Sequence, residues 1–408
     1  MTTKPQFDIS PSKPLDWRII LPVFAIVCAN AAGTASVLPV LPFHVRAMGG
    51  TPLVLGMVIA AEAVGQFASA PALGQLSDRF GRKHVLLTSQ CVAAVSLALL
   101  AVAPSVAFIL VARALFGLTS GNISVTAAYI ADHTDAANRR PAMGILMGGA
   151  GLGGIVGAGL SGILSGISLM MPLLAALGLV VASLVVTSLC LGGGRPTKTS
   201  KEQPHRGNIS FRAILASPVV RALVIVMLCH FFAYGTYISQ MPVFLAETFQ
   251  WNGRVFGAKE LSYLIMMDGA VNVVAQLFLL GWLGKHLTER NLILLIFLLI
   301  CLGFITAGIA SSIPVLIVAV VCVSTGDALA KPTYLAALSI HVPSERQGVV
   351  LGAAQSLLAV TDIVAPVLGG FILGYALYSL WIGIAVAVAI VGAIIAATRL
   401  PRQGGAEA

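Results

Sequence analysis

Seven ionisable side chains lie within otherwise apolar runs: Glu62, Arg113, His230, Asp268, Asp327, Lys331 and Asp362. Such groups are costly inside a bilayer and mark functional positions. Glu62 and Gln66 are four residues apart, and Asp268, Asn272 and Gln276 follow at the same spacing. Each set therefore falls on one face of a helix. Two readings are open: hydrogen bonding between helices with the carboxyls neutral, or the lining of a cavity with Glu62 or Asp268 as a proton carrier. The second is preferred, because a carboxyl in a low-dielectric cavity loads and unloads a proton near neutral pH.

The other polar groups suggest partners. Arg113 lies about eight residues into its run, about 12 Å deep at 1.5 Å per residue, and needs an acidic or carbonyl partner. Glu62 sits at a comparable depth in its own run. Asp327 and Lys331, four apart, predict a local ion pair. Asp362 precedes Pro366 by four residues and either lines a pore or pairs with a charged loop. His230, Tyr234, Tyr237 and Met241 share one face. His230 there is a packing residue or part of an aromatic wall for a flat organic molecule. No second histidine stands at metal spacing, so no metal is expected. Without HExxH, GxSxG or a Walker loop, neither an enzyme nor a cofactor is expected.

The elements that carry these residues are membrane spans. The chain has 408 residues, 58% apolar and 10% charged, where a soluble domain carries roughly 25% charged residues. Runs long enough to cross a bilayer occur near 18–43, 53–74, 84–103, 105–129, 140–163 and 168–191. After a polar break they resume near 219–246, 259–281, 291–310, 313–337, 347–373 and 375–398. The organisation predicted is an N-terminal tail (1–17), a six-helix bundle (18–191), a linker (192–217), a second six-helix bundle (218–398) and a tail (399–408). The polar start followed by a long apolar run reads as a retained span rather than a cleaved signal.

Nineteen of the 24 Lys and Arg residues fall on one side of these spans and three (Arg46, Arg254, Lys259) on the other. The bias predicts cytoplasmic termini and a cytoplasmic linker. The formal charge of +9 is spread over short loops, which argues against nucleic acid. The six cysteines all lie in apolar runs without CxxC spacing, which predicts packing residues rather than a disulfide or zinc framework.

The densest charged loop is Gly74-Gln-Leu-Ser-Asp78-Arg79-Phe-Gly81-Arg82-Lys83. Two glycines permit a tight turn, and Asp78 is expected at the N-terminus of the next helix. Weak repeats link the halves: Pro39-Val40 with Pro242-Val243, Gly74-x-Leu76 with Gly281-x-Leu283, Gly144 and Gly162 with Gly352 and Gly370. The second copy of the loop lacks the aspartate. Parallel six-span repeats around a central site are a transporter architecture.

The G-x-L-x-D-R-x-G-R-K order resembles the loop 2–3 signature of the major facilitator superfamily. Gly33-x5-Pro39-Val40-x-Pro42 and Arg113-x3-Gly117 resemble patterns of its 12-span drug:proton antiporter branch. Ala128-Tyr-Ile-Ala-Asp132 looks like the end of span four in tetracycline exporters. The glycine-rich fifth span resembles the antiporter motif, with Ala158 where the family has Pro and Ser161 where it has Gly. The resemblance implies an all-α polytopic membrane protein with twelve helices in two pseudo-symmetric bundles, the major facilitator fold. It further implies a monomer in the bacterial inner membrane, exporting amphipathic organic compounds or drugs in exchange for protons by alternating access. A metabolite exporter, an uptake symporter and an uncoupled facilitator are the alternatives.

In this scheme Glu62, Asp268, Asp362 and Arg113 serve proton coupling. Asn30, Gln66, His230, Tyr234, Tyr237, Asn272 and Gln276 contact substrate. Gly74, Asp78, Arg79, Gly81, Arg82 and Lys83 form a conformational latch. Gly153, Gly157, Gly162 and Pro366 form a hinge or gasket. Asn30 stands where tetracycline-type exporters carry an aspartate, and asparagine cannot cycle a proton.

Overall fold

A computed structural model describes residues 15–119, 121–192, 217–342 and 344–401. Most of the expected linker and both tail ends lie outside these residues. Twelve helices are long and apolar enough to cross a membrane. Ten are uninterrupted, among them α1 (Trp17–Val37), α3 (Arg82–Ala101), α5 (Ala136–Ser165), α6 (Met170–Cys190), α7 (Pro218–Thr248), α9 (Glu289–Gly308) and α10 (Ile313–Ile340). α2 (Pro52–Phe80), α11 (Ser344–Gly374) and α12 (Tyr378–Arg399) complete the uninterrupted set. α4 is broken into Val106–Gly117 and Asn122–His133, and α8 into Ala258–Val274, a π-helical turn Ala275–Leu279, and Leu280–His286.

Helix starts carry local signals. Thr51 accepts from Val54 N ahead of Pro52, and Ser217 accepts from Val220 N ahead of Pro218. A capping hydroxyl followed by proline satisfies first-turn donors that lipid cannot. At the opposite end of α2 the turn is made by Gly81, whose φ of +91° disfavours any side chain. The expectation for Asp78 needs correction here. It lies in the last turn of α2, not at the start of α3, because Gly81 makes the corner and Gly74 remains helical.

The bundles repeat one another's packing. α1 packs on α5 and α6 as α7 packs on α11 and α12; α2 packs on α4 as α8 packs on α10; α3 packs on α6 as α9 packs on α12. The bundles meet along α2–α11 and α5–α8, an exchange that the internal repeat requires. With little hydrophobic drive between helices in lipid, small residues set these approaches. A Cβ on Gly56 would run into the Pro366 carbonyl, one on Gly370 into Pro52, and one on Gly162 into the Ser262 side chain.

These tight contacts join the bundles on the face opposite the charged loop. Arg46 and Glu247 add an ion pair there at 3.7 Å, and Tyr378 donates to Glu247 at 2.5 Å. At the charged-loop face the ion pairs of Arg82 and the hydrogen bonds of Lys83 stay within the N-terminal bundle. The six cysteines are free, and Cys91 and Cys190 are exposed on the helix surface rather than packed.

Candidate functional site

Between the bundles lies a cavity of about 1140 Å³. Its walls bring together residues far apart in the chain: Glu62, Gln66 and Arg113 from the N-terminal half, and Tyr234, Tyr237, Asp268, Asp327, Lys331 and Asp362 from the C-terminal half.

The N-terminal wall depends on one helix crossing. A Cβ on Gly65 would meet the Ala114 carbonyl, and one on Gly117 the Glu62 carbonyl. The absence of both side chains lets α2 and α4 touch at the backbone. That places Arg113 Nη2 as a donor to Glu62 Oε2. Arg113 is 2% exposed and Glu62 22%, so the guanidinium is inside the protein while the carboxylate reaches the cavity. The Phe116 ring lies 5.2 Å from the guanidinium carbon, and Arg113 Nε has no hydrogen-bond partner within the protein. Among the described residues, Glu62 is the acid that pairs with a buried guanidinium.

The C-terminal wall is arranged differently. Ser324 Oγ donates to Asp268 Oδ1 at 2.5 Å. Lys331 and Asp362 both line the cavity. The expected Asp327–Lys331 pair is not formed; Asp327 Oδ1 instead faces His230 Nε2 at 3.6 Å. The reason is that the buried imidazole on α7 packs directly against α10, while Lys331 turns to the cavity. Tyr237 lies between Phe304, at 4.4 Å, and Trp381, at 5.6 Å, in stacked geometry.

Four of the residues expected at the substrate do not line the cavity. His230 is fully buried behind the wall, ringed by Phe231, Tyr234, Phe297 and Tyr334. Asn30 lies on α1 away from the lining, and its carbonyl accepts from Thr34. Gln276 donates to Asn272 at 2.7 Å outside the cavity. The π-helical turn beginning at Ala275 breaks the stripe after Asn272 and so shifts Gln276, a change of period that spacing alone does not announce. Sequence spacing also left Asp327 out of the site. Lys331, four residues after Asp327, is the neighbour that spacing suggests, whereas His230 is the one in contact.

The charged loop is a cluster within the N-terminal bundle. Arg82 pairs with Asp78 at 2.6 Å and with Asp132 at 3.1 Å. Lys83 Nζ donates to the Ser188 and Leu191 carbonyls at the end of α6, where a cation complements the helix terminus. Of the glycines assigned to a hinge, Gly153 and Gly157 pack α5 on α1 inside one bundle, whereas Gly162 meets Ser262 across the seam between bundles. Among the described residues no cluster of His, Cys, Asp and Glu is arranged to hold a metal.

The sequence profile of the Major Facilitator Superfamily matches residues 23–366. The chain belongs to the major facilitator superfamily, a family of transporters and not of enzymes. Over 392 residues it is 30% identical to the tetracycline resistance protein, class G, of Vibrio anguillarum, covering 92% of this chain and 94% of that protein. It is 25% identical to multidrug resistance protein 2 of Bacillus subtilis, covering 86% and 88%. A crystal structure of the nucleoside transporter NupG superposes with a TM-score of 0.76 at 13% identity, over 92% of this chain and 99% of that one. At that identity the likeness is one of fold. This superfamily member is a multi-pass membrane protein of twelve spans.

Proposed function

We propose that the protein is a proton-coupled exporter of amphipathic organic compounds working by alternating access. The observation that carries this reading is the buried Glu62–Arg113 pair at the wall of the central cavity. A proton on Glu62 removes the charge that compensates Arg113, so protonation and conformation are linked through the energy of a buried guanidinium. The similarity to tetracycline and multidrug resistance proteins supports export of drugs or drug-like compounds. The aromatic residues beside the C-terminal acids suit an amphipathic ligand.

Further assignments belong to the same proposal. The charged-loop face is cytoplasmic, with both termini on that side of the bacterial inner membrane. The bundles, packed on the opposite face, are then in an inward-facing state. Protons bind at Glu62, with Asp268 and Asp362 contributing from the other wall. Gln66, Tyr234 and Tyr237 contact substrate, and the Asp78–Arg82 cluster is the half-latch that engages when the cytoplasmic face closes.

The test is proton release from purified, weakly buffered protein on addition of ethidium or tetracycline. Wild type is expected to release protons, and Glu62→Gln is expected to bind the compound without release. Release by Glu62→Gln equal to wild type would overturn the assignment of Glu62, and pH-insensitive flux in liposomes would overturn coupling itself.

A further inference from the structure

A short helix, Leu41–Ala47, joins α1 to α2 on the face opposite the charged loop. It touches both the cavity and the outer seam between the bundles. At its start Leu41 and Pro42 line the cavity. Near its end Arg46 pairs with Glu247 across the bundles, and Tyr378 donates to the same carboxylate. Corners separate this helix from the spans on either side. A turn at 38–40 precedes it, and Gly49, with a φ of +79°, follows it. Gly50 N donates to the Val45 carbonyl, and a Cβ on Gly50 would strike Val45. The segment can therefore shift as a unit without unwinding α1 or α2.

His44 lies on the packed side of this helix. It is 8% exposed, and its Nε2 is buried without a hydrogen-bond partner. Leu41 and Val45 beside it are buried as well. The imidazole meets the backbone of Leu100 in the last turn of α3. The surrounding elements offer it no counter-charge. On its own helix, Arg46 is taken up by Glu247 of α7, which Tyr378 of α12 also contacts. The outer half of α3, residues 92–101, has no ionisable side chain. Glu62 on α2 is bound to Arg113 on α4. Among the described residues no carboxylate forms an ion pair with His44. An imidazolium here would be buried and unpaired, which is costly.

His44 lies between the membrane spans Trp17–Val37 and Pro52–Ser69. Burial holds its imidazole below the ordinary value, and the Leu100 backbone acts in the opposite sense as the smaller effect. The neutral ring fits the docked helix, whereas the protonated ring favours a hydrated, undocked one. Docking is therefore complete above about pH 6.5 and weakens as pH falls below it, by up to about tenfold per pH unit until the lowered value of the docked state is reached.

We propose that His44 is a pH sensor for the outer seam: protons arriving at that face undock the Leu41–Ala47 helix, release Arg46 from Glu247 and favour opening of the cavity to that side. The inference rests on the reading of the cavity as an alternating-access transport site and adds its regulation. Glu62 remains the proton site of the transport cycle, and His44 biases which face is open.

The experiment is thiol labelling of the full-length protein in detergent, where both faces meet one pH. The reporter is Leu53→Cys, at a position whose Cα a Cβ on Gly370 would meet across the seam. Its peptide is read by mass spectrometry, which separates it from the native cysteines. Labelling rates with His44 intact and with His44→Gln are compared at each pH, so that thiol ionisation cancels. The ratio of the two rates should be about 1 at pH 8 and rise to at least about threefold at pH 5. A second measurement needs no variant. In wild type, amide exchange of the peptide 41–50, corrected for its intrinsic pH dependence, should quicken in acid relative to that of α3. A ratio that does not rise in acid, a ratio that falls, or unchanged protection of 41–50 would each overturn the proposal. Glu62→Gln should keep the response of the reporter, and a response lost in that variant would also overturn the assignment to His44. Loss of substrate-induced proton release in Glu62→Gln bears on proton coupling alone, so the two readings fail separately.

Discussion

Substituting Glu62 by alanine removes the carboxylate that neutralises Arg113. The guanidinium is 2% exposed, its Nε lacks a hydrogen-bond partner, and Glu62 is its one side-chain acceptor among the described residues. Breaking a buried ion pair by removing one partner costs about 3–5 kcal/mol. Glu62 is 22% exposed on its cavity side, so water partly compensates and the lower end of the range, about 3 kcal/mol, applies. Glu62→Gln keeps an acceptor oxygen and should lose less, about 1–2 kcal/mol. Removing both charges in Glu62→Gln/Arg113→Met eliminates the orphaned cation, so the double variant should be more stable than Glu62→Ala alone. The assay is thermal and denaturant unfolding of purified protein in one detergent, followed by intrinsic fluorescence and size-exclusion profiles. A Glu62→Ala variant as stable as wild type, or a double variant worse than Glu62→Ala, would refute the argument that the pair holds a buried charge.

Other perturbations act on packing and on the two faces. Gly117→Ala drives a methyl group into the Glu62 carbonyl and should cost about 1–3 kcal/mol, read as a lower thermal midpoint together with weakened transport. Asp78→Asn removes an exposed partner of Arg82, so stability should change by less than about 1 kcal/mol while the accessibility of engineered cysteines at the charged-loop face shifts. An unchanged labelling pattern would reject the latch. Glu247→Gln loses the pair with Arg46 across the bundles and should increase labelling of cysteines placed on the opposite face. Gly162→Leu forces α5 away from Ser262 and should produce the same shift more strongly.

The division between sequence and structure follows from the range of each physical signal. Membrane residence, twelve spans and the duplicated architecture are properties of apolar run length and of repeated short patterns, and no contact is needed to read them. The Glu62–Arg113 pair was also within reach, because two buried opposite charges at equal depth require each other. Its geometry, however, depends on Gly65 and Gly117 removing the side chains that would hold α2 and α4 apart, which is a property of two helices and not of either one.

Helical spacing failed where the helix itself changed or where a partner came from elsewhere. The π turn at Ala275–Leu279 takes Gln276 off the α-helical period begun by Asp268, and Gln276 bonds Asn272 instead of lining the cavity. Asp327 lies one turn from Lys331 in sequence, yet a histidine from α7 lies against it and the lysine lines the cavity. Asp78 carried a recognisable pattern, but its place in the last turn of α2 was decided by the positive φ of Gly81. The sequence by itself determined that this chain crosses a bilayer twelve times in two related halves and carries charges there. Only the tertiary structure decided which charges meet, because the pairing of intramembrane ions depends on helix–helix approach, and that is fixed by small residues on both partners at once.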